Sequence, residues 1–233
     1  MKKVEERSRA ELRELRGRVR EIEGILRKRY GDYKWEGPEE ILGSLVHTVL
    51  SQNTNDLNSG RAYRSLRKKF PTWTAVMKAP VGELADAIRV GGLANNKSRW
   101  IQALLRWVKR TRGKMSLEDL REMGPKEMLS EMGHLNGIGV KTVYVVSMFA
   151  CGRDVFPVDT HIHRVVRRVG VVRWGASREK TTELMQGLVG RGRCMGLHVN
   201  LIYFGREICT AQKPKCRVCP LWQICTWPGK TGR

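Results

Sequence analysis

The stretch HLNGIGVKTVYVV, His134–Val146, places two glycines around an isoleucine and then continues as an apolar segment. Gly137 and Gly139 have no Cβ, so each can adopt positive φ and let the backbone approach another surface. A turn of this kind that opens a helix points backbone N–H groups outward, where they can bind an anion. Taken alone, a Gly-x-Gly pair is more often a tight turn between helices. The stretch therefore predicts a glycine turn followed by a helix from Val140.

The net charge makes a polyanion the expected partner. The 233 residues contain 44 Lys and Arg against 23 Asp and Glu, which gives a formal net charge of +21. Such an excess destabilises the folded state through self-repulsion. Nucleic acid fits best, because each neutralised phosphate releases counterions and adds affinity. A generic basic surface, as in many thermophile proteins, is the alternative.

The N-terminal segment and the absence of long apolar runs make membrane binding a weaker expectation than nucleic-acid binding. No apolar run approaches the ~20 residues that a spanning helix needs, and residues 1–31 lack the apolar centre of a signal peptide. That segment has the three- and four-residue spacing of an amphipathic helix, with apolar positions Leu12, Leu15, Val19, Ile22 and Leu26. We therefore expect an intracellular monomer, in the cytoplasm or at the nucleoid, that binds no membrane.

Helical periodicity recurs through most of the remaining chain, and alternation of period two is hard to find. The best strand candidate, RVGVVRW at 168–174, is short. Brief loops marked by Gly or Pro separate the helical segments, with Gly113 and Gly124–Pro125 as stop signals. The sequence predicts an all-α fold of many short helices.

Four of the six cysteines lie close together near the C-terminus with C-x6-C-x2-C-x5-C spacing: Cys209, Cys216, Cys219 and Cys225. Disulfides are not expected in a reducing compartment, so clustered thiols predict a metal site. The spacing alone leaves both a zinc ion and an iron–sulfur cluster open. Two cysteines lie outside the pattern: Cys151 is expected to be a small buried residue, and Cys194, which follows two arginines, a more reactive thiol.

The order of these motifs resembles the endonuclease III family of DNA glycosylases, members of the helix-hairpin-helix Gly/Pro-Asp superfamily. The cysteine spacing resembles that family's [4Fe-4S] loop, and LNGIGVKTVYVV (135–146) with FPVDTHIHRVVRRVG (156–170) resembles its hairpin and aspartate loop. Upstream, LVHTVLSQNTND (45–56) and GGLANNKSRWI (91–101) resemble its two duplex-probing segments. The similarity covers most of the chain, in order.

The resemblance implies a helix-hairpin-helix DNA glycosylase fold, with two helical subdomains flanking a DNA-binding cleft. A six-helix domain with the hairpin is expected at 42–155, and a cluster domain at 1–41 plus 156–233. The implied cofactor is a [4Fe-4S] cluster with the four clustered cysteines as ligands. The implied partner is double-stranded DNA that contains a damaged or mismatched base.

Lys141 lies in the first turn of the predicted hairpin helix. The positive end of the helix dipole and the apolar neighbours both disfavour an ammonium there, which makes the neutral, nucleophilic amine accessible. The residues alone favour a simple phosphate contact. The resemblance instead sets Lys141 at the position of the nucleophile that attacks the sugar C1′ and displaces the base.

Asp159 supplies a carboxylate close to the same motif. A carboxylate stabilises the oxocarbenium character that develops when a glycosidic bond breaks, and it can accept a proton from an amine or water. On sequence alone Asp159 is a helix N-cap. By resemblance it is the catalytic carboxylate.

The resemblance also implies DNA contacts. Gln52 would fill the gap left by an extruded base, and Leu93 would act as an apolar wedge; their alternatives are a helix-end polar residue and a core residue. Further contacts are expected from the hairpin and the aspartate loop, at Gly137, Gly139, Val140 and His161. His161 and His163 are two residues apart and do not share a helix face, which excludes a metal pair. Basic residues that could contact phosphates are Lys97, Arg99, Arg191 and Arg193.

Together these features predict a bifunctional DNA glycosylase/AP lyase of base-excision repair, which removes oxidised or ring-saturated pyrimidines. A monofunctional thymine or uracil mismatch glycosylase is the nearer alternative, although such relatives typically lack the hairpin lysine. An adenine-mismatch enzyme fits less well, because little chain follows Cys225. A non-catalytic DNA-binding or redox iron–sulfur protein would need neither Lys141 nor Asp159.

Overall fold

The computed structural model of the protein describes residues 7–231, which form helices and contain no β-strand. The fold is all-α, as predicted. The described residues divide into two compact units. One unit is Glu36–Arg153, and the other combines the described residues up to Trp35 with those from Asp154 onward. No helix in this described range combines the length and the apolarity that crossing a bilayer requires.

Seven α-helices form the unit Glu36–Arg153, where the resemblance implies six. They are α2 Ile41–Ser51, α3 Asp56–Lys69, α4 Trp73–Lys78, α5 Val81–Ile88, α6 Ala94–Arg112, α7 Pro125–Met132 and α8 Val140–Phe149, with 3-10 helices at Arg89–Gly91 and Glu118–Glu122. Pro80 separates α4 from α5, since proline lacks the N–H that would continue α4. Gly113 ends α6 in a left-handed conformation, and Pro125 opens α7 at its first position. Both predicted stop signals are confirmed.

Helix α2 lies in the core of this unit. Apart from Ser44, His47 and Ser51, all its residues are buried, and it packs against α3, α6 and α8. A helix that is buried on nearly every side has neighbours on nearly every side. Its C-terminal end, which carries Gln52, is therefore held in place by three other helices.

The other unit contains four α-helices within its described residues: α1 Arg9–Tyr30, α9 Thr160–Arg168, α10 Arg178–Leu188 and α11 Cys194–Glu207. A 3-10 helix, Cys216–Val218, follows them. Helix α1 packs on α10 and α11 and buries Leu15, Val19, Ile22 and Leu26, while Leu12 is half-buried. The predicted amphipathic helix is confirmed.

The strand candidate at 168–174 is wrong, because this segment turns back at the end of α9. Gly170 adopts φ 71°, and the N–H groups of Val171 and Val172 both donate to the carbonyl of Val166, at 2.9 and 3.2 Å. A left-handed glycine followed by bonds back to the last helical carbonyls is a helix C-cap. Val171 and Val172 are both buried. Buried valines in a turn and buried valines in a strand give the same apolar pattern, so the pattern alone does not distinguish the two.

Candidate active site

The hairpin loop between α7 and α8 uses its two glycines differently. Gly137 has φ 84°, and a Cβ there would lie 3.1 Å from Trp100 Cε3, so this position requires glycine. Gly139 is extended, with φ −112° and ψ −176°, which corrects the expectation of left-handed backbone at both. A Cβ at Gly139 would meet nothing within 4 Å, so the backbone there is open to an incoming surface.

Gly139 is also the N-cap of α8 and offers no side chain to its first N–H groups. The first N–H groups of any helix lack intrahelical acceptors, and the dipole gives this end partial positive charge. The amides of Val140 and Lys141 are therefore suited to a phosphate oxygen. The loop therefore has backbone geometry compatible with the anion site that the sequence predicts.

Lys141 is exposed in the first turn of α8. Val143 and Val146, its apolar neighbours in sequence, are buried in the core of the unit and do not surround the amine. The structure therefore does not place Lys141 in the apolar surroundings that the sequence predicts. The helix N-terminus remains as the source of positive potential beside the amine.

Asp159 is the N-cap of α9, where its Oδ1 accepts a hydrogen bond from the Ile162 N–H at 2.7 Å. The residue is 9% exposed and follows the buried Pro157 and Val158. The N-cap interpretation is confirmed, and the carboxylate is held in one orientation. The cap engages Oδ1 and leaves Oδ2 outside this hydrogen bond.

Gln52 is bonded to the hairpin rather than free at the end of α2. Its Nε2 donates to the Gly137 carbonyl at 2.7 Å and lies 3.3 Å from Thr142 Oγ1. Thr142 Oγ1 also donates to the Gly137 carbonyl, at 3.1 Å. If Gln52 moves away, Thr142 keeps that carbonyl satisfied. Thr142 is not among the residues predicted from the sequence, where its only signal is that of a polar residue within an apolar helix.

Leu93 is 49% exposed and has left-handed backbone, φ 50° and ψ 33°, immediately before α6. The alternative that Leu93 is a core residue is therefore wrong. A non-glycine residue in this conformation costs about 1–2 kcal/mol. Exposure of an apolar side chain together with this cost is typical of a position retained for a contact with a partner.

One of the four candidate phosphate contacts is wrong, and a second is engaged in an ion pair. Lys97 is 0% exposed, and its Nζ donates to the backbone carbonyls of Leu50 and Gly91 at 2.7 and 2.8 Å. Arg193 pairs with Glu23 through its Nε. Arg99 and Arg191 are exposed and remain candidates.

His161 and His163 have separate partners. Nδ1 of His161 lies 3.1 Å from the Arg164 guanidinium, which can only donate, so Nδ1 accepts and Nε2 carries the proton of the neutral ring. Burial lowers the pKa of His161, which favours this neutral form. Nδ1 of His163 instead contacts the Thr181 hydroxyl at 3.0 Å. His161 supports the start of α9 and can offer one N–H donor.

The four clustered cysteines lie in the loop that follows α11, and their number and residue type match a group that takes four thiolates. Cys216 and Cys219 are buried, whereas Cys209 and Cys225 are half-buried. Arg168 approaches Cys209 Sγ at 3.4 Å, where a cation stabilises thiolate charge. The same guanidinium donates to the Thr210 carbonyl at 2.7 Å and stacks on Trp227 at 3.9 Å. Within residues 7–231, no group of three or more Cys, His, Asp or Glu side chains is arranged to hold a metal ion.

Burial disfavours the thiolate form of the two remaining cysteines. Cys194 is buried, and burial raises its pKa, so the expectation of greater reactivity is wrong. The adjacent arginines do not change this, since Arg193 is paired with Glu23. Cys151 is half-buried and packs against the core of its unit, and burial raises its pKa as well.

Comparison with known proteins identifies the family. Residues 46–191 match the model of the HhH-GPD superfamily of base excision DNA repair proteins. An Arabidopsis thaliana protein provisionally named a DNA glycosylase is 37% identical over 193 residues, 78% of this chain and 66% of the relative. Endonuclease III of Bacillus subtilis is 33% identical over 181 residues, which cover 78% of each chain. The chain thus spans about two thirds of the plant relative's length.

Solved structures agree with this assignment. A trapped covalent intermediate of endonuclease III with DNA superposes with a TM-score of 0.78 and 28% identity, and the match covers 91% of this chain and 95% of that one. A thermostable thymine-DNA glycosylase superposes with a TM-score of 0.68 and 25% identity, over 92% and 97%. The chain therefore belongs to the HhH-GPD superfamily of base excision DNA repair proteins and is a DNA glycosylase of the endonuclease III family.

Proposed function

We propose that the protein is a bifunctional DNA glycosylase/AP lyase that removes oxidised or ring-saturated pyrimidines from duplex DNA. The observation that carries this proposal is the placement of Lys141. It is exposed in the first turn of α8, directly after the glycine turn. An amine at this position can serve as a nucleophile toward a sugar whose phosphates are held by the neighbouring backbone amides.

The proposed chemistry has two stages. In the first, the Lys141 amine bonds to the sugar C1′, the C1′–N bond breaks, and the base leaves with the bonding electron pair and a proton. The sugar ring then opens to give an iminium between Lys141 and C1′. In the second, the iminium draws electrons from C2′, a C2′ proton is lost, and the C3′–O bond breaks to release the 3′ phosphate. Water finally hydrolyses the imine and regenerates the amine.

Asp159 is proposed as the carboxylate that stabilises positive charge on the sugar during the first stage. Its capping bond to Ile162 fixes the carboxylate before the substrate arrives, so no reorganisation is needed as charge develops. The same group can accept a proton from the Lys141 ammonium, which leaves the neutral amine that attacks C1′.

Base release also requires the base to leave the stack, at a cost of a few kcal/mol. We propose that Leu93 wedges into the duplex and that Gln52 leaves the Gly137 carbonyl to occupy the vacated space. Phosphate contacts are assigned to Gly137, Gly139 and Val140, with His161 offering its ring N–H. The substrate is duplex DNA with a damaged or mismatched base, bound by a monomer inside the cell.

The four clustered cysteines are proposed to hold a [4Fe-4S] cluster. Bound there, the cluster would cross-link the loop after α11 through four thiolate–iron bonds. We expect Cys219→Ser to lose the visible absorbance and the iron and sulfide content of the purified protein. Cys151→Ser, outside the spacing, is the control and is expected to retain all three. One tightly bound zinc per chain, with no sulfide in either protein, would contradict the proposal.

The proposed function is tested with duplexes that carry thymine glycol, a T:G or U:G mismatch, or an abasic site, each with and without borohydride. We expect release of thymine glycol, cleavage on the 3′ side of the abasic site, and a covalent protein–DNA complex when borohydride is present. Base release without trapping would instead identify a monofunctional enzyme. The likeness to a thermostable thymine-DNA glycosylase makes the T:G duplex the informative comparison.

Binding that weakens with salt but leads to no base release from any of these duplexes would contradict the enzymatic proposal for these lesions. It would leave a DNA-binding protein, because phosphate neutralisation alone accounts for salt-sensitive affinity.

A further inference from the structure

Lys97 is a fully buried lysine that the proposed chemistry does not use. It lies in the first turn of α6 and is 0% exposed, although its neighbours Asn95, Asn96 and Arg99 are exposed. Burial lowers its pKa, and charged side chains are almost never fully buried without partners. A buried lysine of this kind requires a structural or functional reason.

The partners of Lys97 are the carbonyls at two helix ends. Its Nζ donates to Leu50 O at 2.7 Å and to Gly91 O at 2.8 Å. Leu50 belongs to the last turn of α2, and Gly91 ends the 3-10 helix Arg89–Gly91. The last carbonyls of a helix lack intrahelical donors and carry partial negative charge, so an ammonium satisfies both needs at once.

These two carbonyls adjoin the two proposed DNA-probing residues. Leu50 lies two residues before Gln52, and Gly91 lies two residues before Leu93. Lys97 also donates its backbone N–H to Leu93 O at 3.0 Å. One side chain therefore joins the segment that carries Gln52 to the segment that carries Leu93, and its own backbone holds Leu93.

Both segments contain left-handed backbone beside these bonds. Leu93 has φ 50° and Asn53, directly after Gln52, has φ 52°. A leucine keeps such a conformation only where its surroundings impose it, whereas asparagine adopts it more readily. A Cβ at Gly91 would lie 3.2 Å from Ala62 Cβ in α3 and 3.8 Å from Leu50 O, so Gly91 lies close to the end of α2. The Lys97 side chain joins the two segments through its hydrogen bonds to Leu50 O and Gly91 O.

We propose that Lys97 is a positioning residue that fixes the spacing between the two probing segments, so that Gln52 and Leu93 enter the duplex as one unit. The inference rests on the proposed function, because it takes these two residues as the ones that open the duplex. The inference adds a role for Lys97 that the proposed actions of Gln52 and Leu93 do not require by themselves. Lys97 itself contacts no DNA, since its ammonium is enclosed by the protein.

The test replaces Lys97 with methionine, which keeps the unbranched stem and removes the ammonium. Lys68→Met, an exposed lysine of α3, is the matched control for the loss of one positive charge. Duplex opening is measured by the fluorescence of 2-aminopurine placed next to the lesion, which rises when its neighbours unstack. Base release is measured in single turnover on thymine glycol paired with adenine and on thymine glycol opposite an abasic gap.

We expect Lys97→Met to lose opening and base release by about tenfold or more on the paired lesion, because small misplacements of positioning groups cost up to about 100-fold. On the gapped lesion, where no pair has to be broken, the loss should be within about threefold. Lys68→Met should match the wild type within about twofold on both, as expected for a single surface charge. Near-normal base release by Lys97→Met on the gapped lesion, together with a large loss on the paired lesion, distinguishes a positioning role from general damage to the fold.

Equal losses on the paired and gapped lesions would overturn the inference, as would an unchanged Lys97→Met. If Lys97→Met does not fold, Lys97→Arg, which keeps the charge but has a larger head group, is measured in the same way with the same expected selectivity. If the wild-type protein raises the fluorescence without releasing any base, the proposed function is refuted but the inference about Lys97 is not. The inference is then tested by the effect of Lys97→Met on the fluorescence increase. A wild-type protein that opens no duplex would overturn both.

Discussion

Replacement of Lys141 with glutamine is expected to abolish the covalent complex that borohydride traps on an abasic duplex. Base release from thymine glycol should fall by about three orders of magnitude or more, since removal of a nucleophile eliminates the reaction path that it provides. The amide of glutamine cannot attack C1′. Lys141 is exposed, and glutamine has nearly the same helix propensity as lysine, so melting temperature and DNA affinity should change little.

Lys126→Gln is the control for this variant. Lys126 is an exposed lysine of α7, on the other helix of the hairpin, and its loss removes the same charge without removing the proposed nucleophile. The control should trap and release base at the wild-type rate. Persistent trapping in Lys141→Gln would assign the Schiff base to another amine. Wild-type base release in Lys141→Gln would make Lys141 a phosphate contact.

The surroundings of Lys141 show what the sequence could and could not predict. The glycine turn, the start of α8 and the place of Lys141 in its first turn follow from local patterns, because they depend on neighbours in the chain. The expected apolar surroundings do not. Residues two positions apart on a helix point in different directions. Val143 is therefore close to Lys141 in sequence, but its buried side chain points in a different direction from the Lys141 amine.

Lys97 and Gly139 illustrate two further limits. The polar neighbours of Lys97 in sequence, Asn95, Asn96 and Arg99, predict a surface residue. Tertiary packing instead brings the carbonyls of Leu50 and Gly91 close to Lys97 and makes it a buried donor. The two hairpin glycines are equivalent in sequence, yet only Gly137 needs positive φ. Sequence patterns identify which residues form a turn, whereas the packing around the turn decides which of them is constrained.

Gln52 shows a third limit, because its contacts depend on a segment far along the chain. Its position at the end of α2 follows from the polar cluster after an apolar helix, as expected. Its hydrogen bond to the Gly137 carbonyl joins residues 85 positions apart, which no local pattern predicts. In consequence, the proposed insertion of Gln52 into DNA has to break a bond within the protein, and Thr142 lowers the cost by retaining the carbonyl.

Asp159→Asn is expected to lower base release by about two to three orders of magnitude while leaving the fold intact. Asparagine caps helices as well as aspartate, so its side-chain oxygen can keep the bond to the Ile162 N–H. What the variant removes is the negative charge, and loss of one preorganised electrostatic contact to a transition state typically costs about 10²–10³ in rate. Trapping on a preformed abasic site should fall much less, because there the glycosidic bond is already broken.

Asp159→Ala separates the two roles of this residue. It loses the cap as well as the charge, so its free energy of unfolding should fall by about 0.5–2 kcal/mol, whereas that of Asp159→Asn should not. If charge is what matters, both variants lose base release to a similar extent despite their different stabilities. If Asp159 serves only as a cap, Asp159→Asn keeps wild-type base release and only Asp159→Ala is impaired. Chemical denaturation together with single-turnover base release on thymine glycol distinguishes these outcomes, because the first measures the cap and the second the carboxylate.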